Sequence, residues 1–123
     1  MIKNLLWVGI GGGVGSIARY LVQRWVNSFY VYSFPLSTFL VNIAGCLLIG
    51  ILYALAEKTN VLTPATRLLL ITGLCGGFTT FSTFAFENTD LLRTGNYLVF
   101  ALYAGGSVLV GILAVFIGSA IIK

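Results

Sequence analysis

The sequence predicts an all-α membrane protein with four transmembrane helices in each subunit. Of its 123 residues, 59% are hydrophobic and only 8% are charged, whereas a soluble domain carries about 25% charged residues. The mean hydropathy is +1.02. Because a span needs about 20 apolar residues, residues 1–123 accommodate four spans and short loops. We therefore expect a single four-helix transmembrane domain, with no soluble domain among these residues.

The first predicted helix runs from residue 5 to residue 25. Its start mimics a signal peptide, because Lys3 is followed by apolar residues. Arg19 and Arg24 follow without a clear small-residue cleavage site, so we expect a retained helix. Small residues spaced four apart predict close packing of helices in lipid. The helix has three such pairs: Gly9 and Gly13, Gly11 and Gly15, and Gly12 and Ser16.

The second predicted helix runs from residue 36 to residue 55. It follows a predicted loop or interfacial stretch, residues 27–35. Aromatic side chains crowd there, as in an aromatic belt at the headgroup level. Thr38 and Asn42 interrupt the apolar run and lie four residues apart. They therefore share one face of the helix.

The third predicted helix covers residues 64–92 and contains a stretch, residues 73–84, that suits an ordinary helix poorly. Gly76 and Gly77 each cost about 1 kcal/mol in helix propensity, and the threonines that follow compete for backbone hydrogen bonds. Irregular backbone in a membrane is tolerated only when it is buried in protein or lines a wet cavity. We predict a mid-membrane break near residues 76–79. The alternative is a continuous helix with a glycine-rich packing face.

The fourth predicted helix runs from residue 97 to residue 122, and Tyr103 and Ser107 share one of its faces. Four spans place both termini on one side of the membrane. The basic residues divide almost evenly between the two sides: Lys3, Lys58, Arg67 and Lys123 against Arg19, Arg24 and Arg93. Because the Lys/Arg bias sets the orientation of insertion, we expect the chain to have only a weak preference for one orientation in the membrane. Insertion in both orientations would allow an antiparallel dual-topology homodimer.

The residue types that catalysis and metal binding need are absent or scarce. The chain has no histidine and three acidic residues, and Glu57, Glu87 and Asp90 all fall at predicted helix ends. A Ser/His/Asp triad is excluded and a metal site has almost nothing to use, so we expect no enzyme. Cys46 and Cys75 lie in apolar runs, which favours core positions. The scattered basic residues argue against nucleic acid as a partner.

Neutral polar groups dominate the predicted spans. Because no carboxylate is expected deep in a span, a proton- or cation-coupled carrier is disfavoured. Arg19 is the one charge that intrudes, and its sign favours anions. Phenyl ring edges are electropositive, so Phe81 and Phe84 could face a small anion, although spacing alone favours both rings as core residues. Carbonyls freed at a helix break would instead suit a hard cation such as Na⁺.

Three motifs resemble those of the bacterial fluoride channels, the Fluc or CrcB family. They are GGFTTFSTF at residues 76–84, GSIARY at residues 15–20 and NIAG at residues 42–45. The resemblance extends over the whole chain in length, number of spans and motif order. It implies a passive fluoride-selective channel that relieves fluoride toxicity, built as an antiparallel dual-topology homodimer in the bacterial inner membrane.

The same resemblance implies a role for particular residues. A fluoride path would be formed by Phe81, Phe84, Asn42, Ser82, Thr83, Tyr103 and Ser107. Arg19 would raise the anion concentration near a vestibule. A structural Na⁺ at the dimer centre would be held by the backbone carbonyls of Gly76 and Thr79.

Two other functions remain open on the sequence alone. A small coupled transporter of the small multidrug resistance type would need a carboxylate in the first helix, and that helix has none. A non-conducting membrane assembly protein would use Phe81 and Phe84 for packing.

Overall fold

The chain folds into helices joined by short loops, as shown by a computed structural model that describes residues 1–122. The helices are α1 (Ile2–Asn27), α2 (Leu36–Lys58), α3 (residues 64–78), α4 (Phe81–Arg93) and α5 (Tyr97–Ile121). With α3 and α4 counted as one, four helical segments are long and apolar enough to cross a membrane. The prediction of an all-helical chain with four spans is therefore confirmed. The first two helices are longer than predicted, and Lys123 lies outside the described residues.

The start of α1 and the end of α5 lie at the same end of the bundle, as four spans require. The Lys58 ammonium at the end of α2 donates to the Ile122 carbonyl over 2.8 Å. Asn4 near the start of α1 lines one cavity with Glu57 and Arg67. The chain thus returns to the side on which it began.

The third span is interrupted, and the break overlaps the C-terminal edge of the predicted region, residues 76–79. Its backbone is extended at Thr79 (φ −82°, ψ 156°) and at Thr80 (φ −146°, ψ 118°). Gly76 and Gly77, where the break was expected to begin, are helical. Glycine lowers helix propensity, yet Gly77 is needed for packing, since a methyl group there would lie 2.5 Å from the Gly12 carbonyl oxygen. The break therefore belongs to the two threonines.

The part of α3 before the break is itself irregular. Leu68–Cys75 forms a run of wide π-helical turns between short α-helical pieces. Such turns are rare and occur often at functional sites. Nothing in the spacing of the side chains predicted this run.

Glycines bring α1 into direct contact with α3. A methyl group on Gly11 or Gly15 would overlap the carbonyl oxygens of Leu69 or Leu74. By contrast, Gly9 and Gly13 have nothing within 4 Å of such a methyl group. Of the glycine pairs in α1, the pair Gly11 and Gly15 therefore packs within the subunit, and the pair Gly9 and Gly13 faces outwards.

This difference allows a matched test of the packing. We expect Gly15→Ala to lower the free energy of unfolding by about 1–3 kcal/mol, because the methyl group overpacks the contact with α3. Gly13→Ala is the control and should lose nothing. Thermal unfolding of both variants in detergent measures the effect, and equal midpoints would contradict the assignment of Gly15 to the interface.

The other side of the bundle is built by α2 and α5. A methyl group on Gly50 would lie 3.0 Å from the Val115 Cα atom, and one on Gly118 would lie 3.0 Å from the Ile51 nitrogen. At the break-proximal end of this interface, Thr38 and Tyr103 are completely buried. These two helices frame the candidate site.

Candidate functional site

A cavity of about 320 Å³ lies where α2, the break and α5 meet. Its wall is formed by Asn42, Gly45, Cys46, Ile49, Thr79, Thr80, Phe81, Phe84, Ser107 and Val108. Four of the residues predicted for the ion path therefore share one cavity: Asn42, Phe81, Phe84 and Ser107. Ser82, Thr83 and Tyr103 do not line it.

The side chain of Asn42 holds the break in place. Its Oδ1 accepts a hydrogen bond from the Thr80 amide over 2.8 Å, and its Nδ2 donates to the Thr80 carbonyl over 3.1 Å. Both backbone polar groups of one non-helical residue, Thr80, are thus satisfied by a side chain from another helix. A primary amide carries two N–H donors, so one Nδ2 hydrogen remains for a ligand in the cavity.

The two phenylalanines have different environments. Their ring centroids are 5.9 Å apart. Phe81 is 79% exposed on the subunit surface, whereas Phe84 is half-buried and packs against Tyr103 with centroids 5.0 Å apart. The expectation that both rings are core residues is therefore wrong for Phe81, which does not belong to the core of the subunit.

Ser107 contributes a free hydroxyl group. Its Oγ is buried and has no hydrogen-bond partner among residues 1–122, and the residue lines the cavity. Leaving a buried hydroxyl unsatisfied costs about 1–3 kcal/mol. The group is therefore available to donate to something that enters the cavity.

Tyr103 lies behind Phe84 and is hydrogen-bonded to Glu87. The Tyr103 hydroxyl donates to Glu87 Oε1 over 2.8 Å, and the Thr38 hydroxyl donates to Oε2 over 3.0 Å. Glu87 lies in the middle of α4 and is half-buried. The sequence-based placement of Glu87 at a helix end facing water is therefore wrong.

The sequence did not predict that Glu87 binds two buried hydroxyl groups, because its position near the end of the third predicted helix suggested a carboxylate exposed to water. The hydroxyl groups that bind it come from α2 and α5, and no local pattern links those helices to α4. Because Glu87 is half-buried within a span, the expectation that no carboxylate lies inside the membrane no longer argues against a coupled carrier. The first helix still lacks the carboxylate that a transporter of the small multidrug resistance type would need.

Ser82 and Thr83 surround the start of α4. The Thr80 hydroxyl caps the helix by accepting from the Thr83 amide over 3.3 Å, and it donates to the Thr83 hydroxyl over 3.1 Å. The Ser82 hydroxyl lies 3.5 Å from the Thr80 Oγ1 atom, and Ser82 is exposed. These hydroxyls thus cluster at the break around Thr80, which itself lines the cavity.

Arg19 reaches the other side of the break. Its Nε donates to the Gly77 carbonyl over 3.1 Å, near the C-terminal end of α3. A cation is stabilised at a helix C-terminus by the exposed carbonyls. The fold therefore holds the half-buried guanidinium group of Arg19 next to the break.

The described residues contain no group of three His, Cys, Asp or Glu side chains that could hold a metal ion. Cys46 and Cys75 are free thiols, and Cys75 is buried as expected.

A four-span helical bundle with a broken helix, neutral donors and aromatic rings around one cavity has the construction of a membrane conduit for small solutes or ions. Residues 6–119 match the model of the CrcB-like protein family, also described as Camphor Resistance. The chain belongs to this CrcB-like family. Together with its four spans, membership makes it a multi-pass bacterial membrane protein.

Three curated relatives of the chain carry the name fluoride-specific ion channel FluC. The protein from Flavobacterium psychrophilum is 44% identical over 122 residues, which cover 99% of this chain and 98% of the relative. The one from Chlorobaculum tepidum is 48% identical over 123 residues, with 100% and 97% covered. The one from Chlorobium chlorochromatii is 46% identical over 115 residues, with 94% and 88% covered.

Proposed function

We propose that the protein is a passive fluoride-selective channel that exports fluoride and so relieves fluoride toxicity. The observation that carries the proposal is the cavity between Asn42, Phe81, Phe84 and Ser107, in a chain whose relatives bear the name of fluoride-specific channels.

The cavity chemistry suits a small, strongly hydrated anion. A selective pore must replace the water shell of the ion and still bind it weakly enough for exit. The free N–H of Asn42 and the hydroxyl of Ser107 are donors without charge, and the edges of Phe81 and Phe84 are electropositive. A negative-inside potential favours export by about 2.3 kcal/mol per charge per 100 mV.

A second copy of the chain is part of the proposal. Phe81 is 79% exposed, and a methyl group on Gly76, Gly105 or Gly106 would meet nothing within 4 Å. These positions leave a surface beside the break that another subunit could cover. The near balance of basic residues between the two sides supports an antiparallel, dual-topology homodimer.

A structural Na⁺ at the centre of that dimer is compatible with the backbone of the break. The Cys75 carbonyl accepts from the Thr79 amide, the Gly77 carbonyl from Arg19 and the Thr80 carbonyl from Asn42. Within residues 1–122, no donor is bonded to the Thr79 carbonyl. We propose that the backbone carbonyls of Gly76 and Thr79 of both subunits hold the ion. Its positive charge would stabilise the contact between the two broken helices.

Removal of Na⁺ should therefore abolish fluoride flux, because repulsion between carbonyls would loosen the breaks. The measurement is fluoride flux from liposomes in Na⁺-free solution with a large organic cation, followed by restoration of Na⁺. Recovery on Na⁺ addition is expected. Full flux throughout the Na⁺-free phase would contradict the cation site and leave the fluoride path untouched.

Flux from liposomes that contain the purified protein tests the function itself. Uncoupled, electrogenic efflux of fluoride, with chloride retained, is the expected result. Efflux that requires a proton or Na⁺ gradient would support the coupled transporter, and Glu87 would then be its first candidate residue. No efflux of any kind would support a non-conducting assembly protein.

A further inference from the structure

The hydrogen bonds around Glu87 extend to a residue that no motif includes, Gln23 of α1. Gln23 Nε2 lies 3.1 Å from Thr38 Oγ1, and Thr38 Oγ1 lies 3.0 Å from Glu87 Oε2. The Tyr103 hydroxyl binds the other carboxylate oxygen over 2.8 Å. One chain of side chains therefore links α1, α2, α4 and α5.

The directions of these bonds follow from counting protons. A hydroxyl group has one proton to donate, an ionised carboxylate has none, and an amide NH₂ can only donate. The Thr38 proton is given to Glu87, so Thr38 must accept from Gln23. Because Thr38 is completely buried, water does not compete for this bond.

We propose that Gln23 is a positioning residue of the fluoride path. By donating to Thr38, it commits the only proton of that hydroxyl to Glu87, and it thereby fixes the carboxylate that holds the Tyr103 hydroxyl. Tyr103 in turn packs against Phe84 of the cavity wall, with centroids 5.0 Å apart. This inference rests on the proposed function, since it assigns Gln23 to the support of the same cavity.

The titratable groups around Thr38 are few. Glu87 and Tyr103 are members of the chain itself. Residues 34–42 of the Thr38 segment contain no titratable side chain. On α1, Arg24 is exposed and Arg19 is bonded to the Gly77 carbonyl. Asp90, the next acid on α4, is exposed.

Gln23→Glu reverses one bond and preserves the shape of the side chain. The introduced carboxylate can only accept, so it competes with Glu87 for the Thr38 proton. At about pH 8 we expect roughly tenfold lower fluoride flux than in the wild type. The flux should recover as the pH falls towards about 5, because a protonated carboxyl group donates as the amide does. Protein-free liposomes correct for leakage of hydrogen fluoride.

Asn27→Asp is the matched control, since Asn27 is exposed and lies one turn further along α1. It makes the same chemical change at the same end of the helix, and its flux should follow the wild type at each pH. Gln23→Met, which removes the donor without adding a charge, should lower flux about threefold at all pH values.

The outcomes separate the two proposals. If wild-type protein conducts fluoride but Gln23→Glu behaves as Asn27→Asp does at every pH, the role of Gln23 is overturned and the channel function stands. If Gln23→Glu does not give a folded dimer on size exclusion, Gln23→Met decides, and wild-type flux from that variant overturns the role. Absence of flux from the wild type removes the proposed function, and the role of Gln23 with it.

Discussion

Phe81→Ile should reduce fluoride flux by about a hundredfold, which corresponds to the loss of about 3 kcal/mol of ion stabilisation. The ring forms part of the cavity wall, and an aliphatic side chain has no electropositive edge to offer an anion. The subunit itself should remain folded, because the side chain is 79% exposed and makes little internal packing. Fluoride efflux from liposomes measures the first effect and thermal unfolding the second.

Phe86→Ile supplies the control. Phe86 lies on the same helix and is 66% exposed, but it does not line the cavity. It should therefore conduct as the wild type does. Full flux through Phe81→Ile would exclude the ring from the path and favour a packing role in a dimer. Phe84→Ile is a less selective test, since that ring also supports Tyr103.

Asn42→Ala should abolish flux and also destabilise the subunit. The Thr80 amide and carbonyl would both lose their partner, and each unsatisfied buried group costs about 1–3 kcal/mol. The cavity would lose a donor in the same step. We expect the free energy of unfolding to fall by about 2–4 kcal/mol, measured by thermal unfolding beside the efflux assay.

Asn60→Ala is the corresponding control, because Asn60 is exposed in the loop between α2 and α3. Neither its stability nor its flux should change. Asn42→Asp adds a distinction within the site. It keeps an acceptor for the Thr80 amide but repels both the Thr80 carbonyl and an anion, so it should conduct no fluoride. Normal flux with a normal melting temperature in Asn42→Ala would refute the role of Asn42 in stabilising the break through Thr80.

Hydropathy and motif order were sufficient to predict the four spans and the region of the break. Both depend on features within a short stretch of chain, namely apolar runs of span length and residues that compete with helical hydrogen bonds. The same reasoning included Thr79 in the break, but it also included the helical Gly76 and Gly77 and omitted Thr80. Glycine signals weak helix propensity, but it serves equally well for close contact, as Gly77 does against Gly12.

By itself, the sequence determined the class of protein, the number of spans and four of the residues that line the cavity: Asn42, Phe81, Phe84 and Ser107. Only the tertiary structure decided which peptide is non-helical, which phenylalanine is exposed and what surrounds Glu87. The physical reason is distance along the chain. Asn42 stabilises a peptide 38 residues away, and the hydroxyls on Glu87 come from other helices. Such bonds exist only once the helices have packed.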